Sequence, residues 1–287
     1  MSRVYLARIL LYPIKSLDPV DVQEAVITEG GTLRYDREWA IYDAKGKVFN
    51  AKRDARLHLI RALYQGDGGS YGAINAVRLS APGQAETTMS LVDSQAIAGW
   101  LSSFLNEPVE LRRDTLTGFP DDLEASGPTI VSCASLRAMT EWFPPLPEDP
   151  YAPGLGFGEG EARRRFRTNL ELDGDGLPAF WEDRLFGNAG EEVAFRIGAV
   201  DFRGRNPCQR CAVPGRDSQT GELTPRFTKV FSDQRRATLP EWANKARFNH
   251  FYRFAVNTLV CPGQEGSVLR RGDELMISTH PSVISAA

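Results

Sequence analysis

An α+β fold rich in strands is what this sequence predicts, and three observations carry the prediction. Residues 1–90 alternate short runs of β-forming side chains with Gly, Pro and Asp turn signals. In the first half, the clearest helical spacing of apolar residues falls at Ser94 to Leu105. The second half returns to short strands with few helices.

Val4 to Tyr12 is dense in β-formers and stops at Pro13, which cannot donate to a ladder, so it predicts a first strand. Val22 to Thr28 predicts a second, ending at Gly30-Gly31. Glu38 to Tyr42 and Lys47 to Ala51 flank Asp43-Ala44-Lys45-Gly46, a hairpin signal with Gly available for positive φ. Leu57, Leu59, Arg61 and Leu63 mark a further strand. Val77 to Ser80 and Thr87 to Leu91 flank Ala81-Pro82-Gly83, another hairpin.

Ile97, Trp100, Leu101, Phe104 and Leu105 then recur at i, i+3, i+4, i+7 and i+8 after Asp93 or Ser94 as N-cap, which predicts an amphipathic helix whose apolar face is core. Pro108 to Arg112 predicts a strand, and Leu136, Met139 and Phe143 a helix after Thr129 to Ser132. Pro144 to Gly160 is a Pro/Gly-dense loop, and Phe166 to Leu172 predicts a strand behind Arg163-Arg164-Arg165, read as a solvated charge run. Phe195 to Phe202 and Phe251 to Leu259 predict strands, Pro225 to Arg236 a short helix, and Ser267 to Ile277 two strands joined at Gly272-Asp273.

The 287 residues, 42% hydrophobic and 25% charged, are ordinary for a globular chain, and a net charge of −3 offers no general attraction to nucleic acid or membrane. No apolar run reaches the ~18 residues of a membrane span, and Met1 to Lys15 lacks a signal-peptide pattern, so a cytoplasmic location is expected. Cys133, Cys208, Cys211 and Cys261 are too sparse for a disulfide framework and are expected to be reduced.

Chemistry concentrates at Asn206-Pro207-Cys208-Gln209-Arg210-Cys211, where two thiols flank an arginine. A zinc site wants a second pair, and Cys133, Cys261 and three scattered histidines do not supply it. A thioredoxin-like role wants a helix N-terminus in a βαβ unit, whereas strand and loop surround this turn. The run Gly154 to Gly160 fits no Gly-x-Gly-x-x-Gly register, and no Lys-Ser/Thr follows it.

The chain resembles the MOSC proteins with an N-terminal MOSC-type β-barrel region, most closely the amidoxime-reducing, molybdenum-cofactor branch. The residues that carry the likeness are Tyr12-Pro13-Ile14-Lys15-Ser16, Leu33-Arg34-Tyr35-Asp36-Arg37-Glu38-Trp39, Phe166-Arg167-Thr168-Asn169, Phe180-Trp181-Glu182-Asp183, Cys208-Gln209-Arg210-Cys211 and Asp217 to Gly221, in family order over almost the whole chain. The resemblance implies an N-terminal barrel region over residues 1–92 and a MOSC domain over 93–287, with a helical linker near 93–143, a loop insertion at 144–165 and a cofactor between the two parts.

It further implies a molybdopterin cofactor whose metal takes the thiolate of Cys211, with Lys15, Ser16, Arg37, Arg167, Asn169 and Arg210 as cofactor contacts and Cys208 as a packing residue. Ser132 or Ser135 is a lower-ranked donor. Four of the six contacts are cationic, as an anionic phosphate requires. The implied reaction is reduction of N-hydroxylated compounds, with electrons from a separate protein, because the chain shows neither an iron–sulfur Cys pattern nor a flavin fingerprint. Pyridoxal phosphate is not expected. The alternatives are a persulfide carrier at Cys211, a cofactor-delivery protein, or inert cysteines. Gln209 stands where the family often has a small residue.

Overall fold

The computed structural model describes residues 3–66, 73–143 and 157–278. In chain order these form β1 (Tyr5–Leu11), β2 (Val20–Val22), β3 (Glu24–Val26), β4 (Trp39–Asp43), β5 (Arg61–Gly66), β6 (Ile74–Ala81), β7 (Gln84–Ser90), α1 (Ser94–Leu105), β8 (Val109–Arg113), β9 (Ile130–Ser132) and α2 (Cys133–Glu141). Then follow α3 (Glu159–Phe166), β10 (Leu170–Asp173), β11 (Val193–Ile197), β12 (Val200–Gln209), α4 (Phe227–Ala237), β13 (Arg253–Val260), β14 (Val268–Arg270) and β15 (Leu275–Ile277). The fold is α+β and strand-rich.

An eight-stranded sheet in the order β15-β11-β12-β13-β9-β10-β1-β2 forms the backbone of the molecule, and the first strands of the chain join it through β10, with one further bridge, Tyr5↔Glu274, to the C-terminal segment. β1 runs antiparallel to both β10 and β2, while β10 and β9 are parallel. The meander β5-β6-β7 and the pair β4-β8 lie outside this sheet, and β14 pairs with β3. One core cluster runs from Leu6 and Ile9 of β1 to Phe195 and Phe202 of the β11-β12 hairpin. A second, aromatic cluster of Phe143, Phe166, Phe227, Phe231 and Phe254 packs α2, α3 and α4 against β13. Tilted rings with centroids 4.5 Å (Phe166–Phe254) and 5.5 Å (Phe166–Phe231) apart hold the end of α3 in place.

The predicted helix is α1: Asp93 accepts the Ala96 N–H at 2.9 Å as N-cap, and Ile97, Trp100, Leu101 and Leu105 are buried. The β6-β7 hairpin also forms, turning at Gly83 with φ 73°. Elsewhere tertiary pairing overrides local pattern. Lys47 to Ala51 makes only the bridge Tyr42↔Val48, because β4 takes the distant β8 as its partner. Ala55–Leu59 is a 3-10 turn, and the strand begins at Arg61. The stretch from Val22 to Thr28 is two short strands, β2 and β3, and Phe195 to Phe202 is a hairpin bending at Gly198, φ 56°.

The region ahead of Asn169 departs most from expectation. Phe166 closes α3 instead of opening a strand, Arg167 takes the left-handed conformation as C-cap, and only Leu170–Asp173 is extended. Arg163, Arg164 and Arg165 lie on α3 and are paired rather than solvated. Arg163 bonds Glu171 at 2.7 Å, Arg164 bonds Ser218 at 2.8 Å, and Arg165, 4% exposed, reaches Glu161 and Asp217. Residues 144–156 of the expected loop lie outside the described residues.

Candidate functional site

Every site residue nominated from the sequence lines one cleft of about 850 Å³: Lys15, Ser16, Arg37, Arg167, Asn169, Arg210 and Cys211. They arrive on four segments far apart in the chain, and the backbone is bent to bring them there. Ser16 (φ 79°), Arg37 (φ 52°) and Arg167 (φ 54°) all occupy the left-handed region, which costs a non-glycine residue about 1–2 kcal/mol. Opposite the cysteine turn, β13 carries Ala255 at φ 70° where the β12-β13 register slips between Pro207 and Gln209, a bulge that turns the end of β12 into the cleft.

Tyr12 organises the first wall. Its ring is fully buried with the Arg37 guanidinium 4.9 Å and the Arg167 guanidinium 4.7 Å from its centroid, and its hydroxyl donates to the Thr168 carbonyl at 3.2 Å. Arg37 bonds the Asp36 carboxylate and donates to the Arg167 carbonyl at 3.0 Å. Burial lowers the pKa of Arg167, and the neighbouring charge of Arg37 adds to that effect. Lys15 Nζ sits 2.8 Å from the Phe119 carbonyl and 2.8 Å from Asp121 Oδ1; burial pulls its pKa down against the attraction of Asp121.

Ser16 Oγ accepts the Ala51 N–H at 3.1 Å, which leaves its own hydrogen free to donate. Asn169 is spoken for. Its Oδ1 accepts from Thr129 N at 3.2 Å and from Arg37 Nη1 at 3.3 Å, and its Nδ2 donates to the Leu10 carbonyl at 3.0 Å. It aims Arg37 and offers the cleft little of its own amide.

At the end of β12, Arg210 donates through Nη1 to Cys208 Sγ at 3.1 Å and through Nη2 to the Phe166 carbonyl, while its buried Nε has no partner. Burial opposes its charge, but the sulfurs of Cys208 and Cys211 outweigh burial and raise its pKa. Cys208 is therefore not the packing residue expected. It is half-buried, lines the cleft and holds the arginine, whereas Cys211, also in the cleft, is the one that packs against the hydrophobic core. Ser132 and Ser135 do not line the cleft. They cap α2 in the interior, where Ser135 donates to Glu182 at 2.9 Å.

Eight cationic side chains and three carboxylates line the cleft of a chain whose net charge is −3. Among the described residues, Arg167, Arg210, Arg247 and Arg253 have no carboxylate oxygen within 4.0 Å. Sequence reasoning missed Arg247 and Arg253 because neither stands in a motif. The one available signal was the strand predicted from Phe251, in which Arg253 pairs with Gln209.

Residues 3–98 match the profile of the MOSC N-terminal beta barrel domain, and residues 131–275 that of the MOSC domain. The chain belongs to the MOSC family. Its MOSC domain contains α3 and β9 to β14, including both cysteines of the cleft, and its N-terminal region supplies Lys15, Ser16 and Arg37. Among curated proteins, this MOSC chain is 29% identical over 242 residues to a molybdenum cofactor sulfurase of Drosophila grimshawi, covering 78% of the chain and 29% of that protein. It is 28% identical over 270 residues to that of Drosophila persimilis, with 80% and 31% covered. The corresponding protein of Drosophila melanogaster is 28% identical over 260 residues, with 81% and 30% covered. The MOSC chain thus spans about three-tenths of the length of these relatives. Among the described residues no helix is long and apolar enough to cross a membrane.

Proposed function

We propose that the cleft binds the molybdenum cofactor and that the chain is a cofactor-handling module in which Cys211 is the working sulfur, carrying sulfur for the cofactor or holding its metal. The observation that carries this reading is the convergence of the seven nominated residues on one cationic cleft in which Arg167 and Arg210 lack a carboxylate. The residues fit such a group. A buried guanidinium Nε without a partner and two half-buried cations without a carboxylate are what an anionic ligand would satisfy. The name of the relatives, molybdenum cofactor sulfurase, supports sulfur handling ahead of reduction.

When bound, the cofactor would supply a molybdenum centre already carrying two dithiolene sulfurs, for which a thiolate is a suitable further ligand. Lys15, Arg37 and Arg167 would present their charge to its phosphate, Ser16 would donate its hydroxyl hydrogen, and Asn169 fixes the angle of Arg37. As a carrier, Cys211 takes the outer sulfur of a donor persulfide R–S–SH and becomes Cys–S–SH, the donor leaving as R–SH. Sulfur and electrons both balance.

The size of the cleft favours one second reading. About 850 Å³ lies near the top of the ~300–1,000 Å³ range of ligand pockets, which leaves room beside a cofactor for a small N-hydroxylated substrate, with electrons from a separate protein. Molybdenum, pterin and cyanide-labile sulfur measured on chain expressed in a cofactor-competent host test the first reading. Loss of both molybdenum and labile sulfur in the wild type would overturn it, and reduction of a simple amidoxime with an artificial donor would shift the assignment to the second.

A further inference from the structure

Two pairs of arginines in the cleft share no contact with each other. Arg37 and Arg167 are tied to each other and to Tyr12, Asp36 and Leu17. Arg247 lies in the turn before β13 and Arg253 is the first residue of that strand. Arg253 Nη1 donates to the Pro207 carbonyl at 2.8 Å, one residue from Cys208, and Nη2 to Asn249 at 2.8 Å. Arg247 donates to the carbonyls of Gly187 at 2.9 Å, Asn188 at 2.8 Å and Arg205 at 3.1 Å.

These two guanidiniums are held by neutral acceptors, so their positions are fixed while their charges stay unneutralised. The Nε of Arg253 is buried and has no partner. The carboxylates that line the cleft are engaged elsewhere: Asp36 with Arg37, Asp121 with Lys15 and Lys52, Asp122 with the Asn257 amide at 3.2 Å. Burial first, then the charge of Arg205, lowers the pKa of Arg247 against the weaker pull of Glu191; burial and the charge of Arg247 lower that of Arg253 against the pull of Cys208. Like charges pre-positioned and partly desolvated are relieved by an incoming anion.

We propose that Arg247 and Arg253 form a second anion subsite in the cleft, one that takes the carboxylate or phosphate end of a small molecule whose other end lies at Cys208. This does not rest on the cofactor reading, since the first group of cations and Cys211 are not needed for it. It assigns the cleft a preference for anionic over neutral partners on the Cys208 side.

Two alkylating agents that differ by one charge test it. Iodoacetate and iodoacetamide both convert a thiolate to a thioether with loss of iodide, so their rate ratio at Cys208, read by peptide mapping and compared with N-acetylcysteine, isolates the contribution of the site's charge. In the full chain the ratio is expected to favour iodoacetate at least ~tenfold over N-acetylcysteine, and to fall several-fold in R247Q/R253Q, with Arg210 beside Cys208 leaving a residual preference. R253K should keep part of the preference and R37Q all of it. Inorganic phosphate and acetate should each slow iodoacetate more than iodoacetamide, and the stronger competitor assigns the ligand as a phosphate ester or a carboxylic acid. A ratio unchanged by R247Q/R253Q would place the preference on Arg210 and overturn the proposal. So would a wild-type ratio equal to that of N-acetylcysteine, which needs no variant to fold.

Discussion

Arg210 Nη1 lies 3.1 Å from the sulfur of Cys208, so the arginine between the two cysteines is committed to the first of them. Cys208 and Cys211 are half-buried and share the cleft, while Cys133 is buried beside Glu171, with its thiol pushed up to about 12 by burial and then by that carboxylate. Alkylation with iodoacetamide near neutral pH should therefore label Cys208 and Cys211 at least ~tenfold faster than Cys133. Mass-spectrometric mapping over a time course reads the order, and equal rates at Cys133 would remove the case for a reactive turn.

Arg167 sits at φ 54° and, among the described residues, has no carboxylate oxygen within 4.0 Å; it bonds the Leu17 carbonyl and lies over the face of Tyr12. Arg167→Gln should change the stability of the cofactor-free chain by under ~1 kcal/mol and lower cofactor retention at least ~tenfold. Denaturant melts and molybdenum content of the same preparation measure the two effects. A large stability loss with unchanged retention would make Arg167 a scaffold residue.

What could be read from the sequence follows from where each signal lives. α1 was legible to its end residues because Asp93, the Ile97-Trp100-Leu101 face and the Asn106 cap are all local. The seven nominated residues were named from motifs in family order, and the fold brings them to one cleft. The strand expected across Phe166 to Leu172 fails because Phe166 is pulled into the aromatic cluster with Phe231 and Phe254, which ends a helix there. Arg165 looks solvated in a triple arginine, yet Glu161 and Asp217 neutralise it in the interior, and Asp217 is 52 residues away. Cys208 looked like packing because nothing local says which way a bulged strand end will turn.

Gly204 of β12 explains why the cysteine turn reaches the cleft at all. A Cβ there would stand 1.7 Å from the Leu185 carbonyl oxygen, so the strand passes the 181–185 turn at a distance only glycine allows. Gly204→Ala should cost about 2–3 kcal/mol, measured by chemical denaturation, and slow the labelling of Cys208. A variant as stable as wild type would show that the turn yields easily.

Two buried glutamates pull stability in opposite directions with pH. Burial, then Asp183, raises the Glu182 carboxyl from 4.5 to about 7, so the fold prefers it neutral; its contribution is complete below about 4.5 and lost as pH rises through about 7. Glu161 is the reverse. Burial opposes its charge, but Ser218 and Arg165 outweigh burial and hold its carboxyl below the ordinary value, so its contribution is present above that value and lost on acidification. Glu182→Gln should flatten the stability loss between about pH 5 and pH 8, worth ~2–3 kcal/mol, and Glu161→Gln should lessen the dependence at acid pH while lowering stability at neutrality. Melting temperature against pH for both variants reads the two signs.

The role of Cys211 is read most directly from the molybdenum content of three proteins expressed side by side in a cofactor-competent host: wild type, Cys208→Ala and Cys211→Ala. Cys208 faces the cleft but is engaged by Arg210, and Cys211 is the proposed ligand, so molybdenum should be retained equally by wild type and Cys208→Ala and lost from Cys211→Ala. Equal loss from both variants would mean that the thiols act as a pair, and retention by Cys211→Ala would contradict the assignment of Cys211.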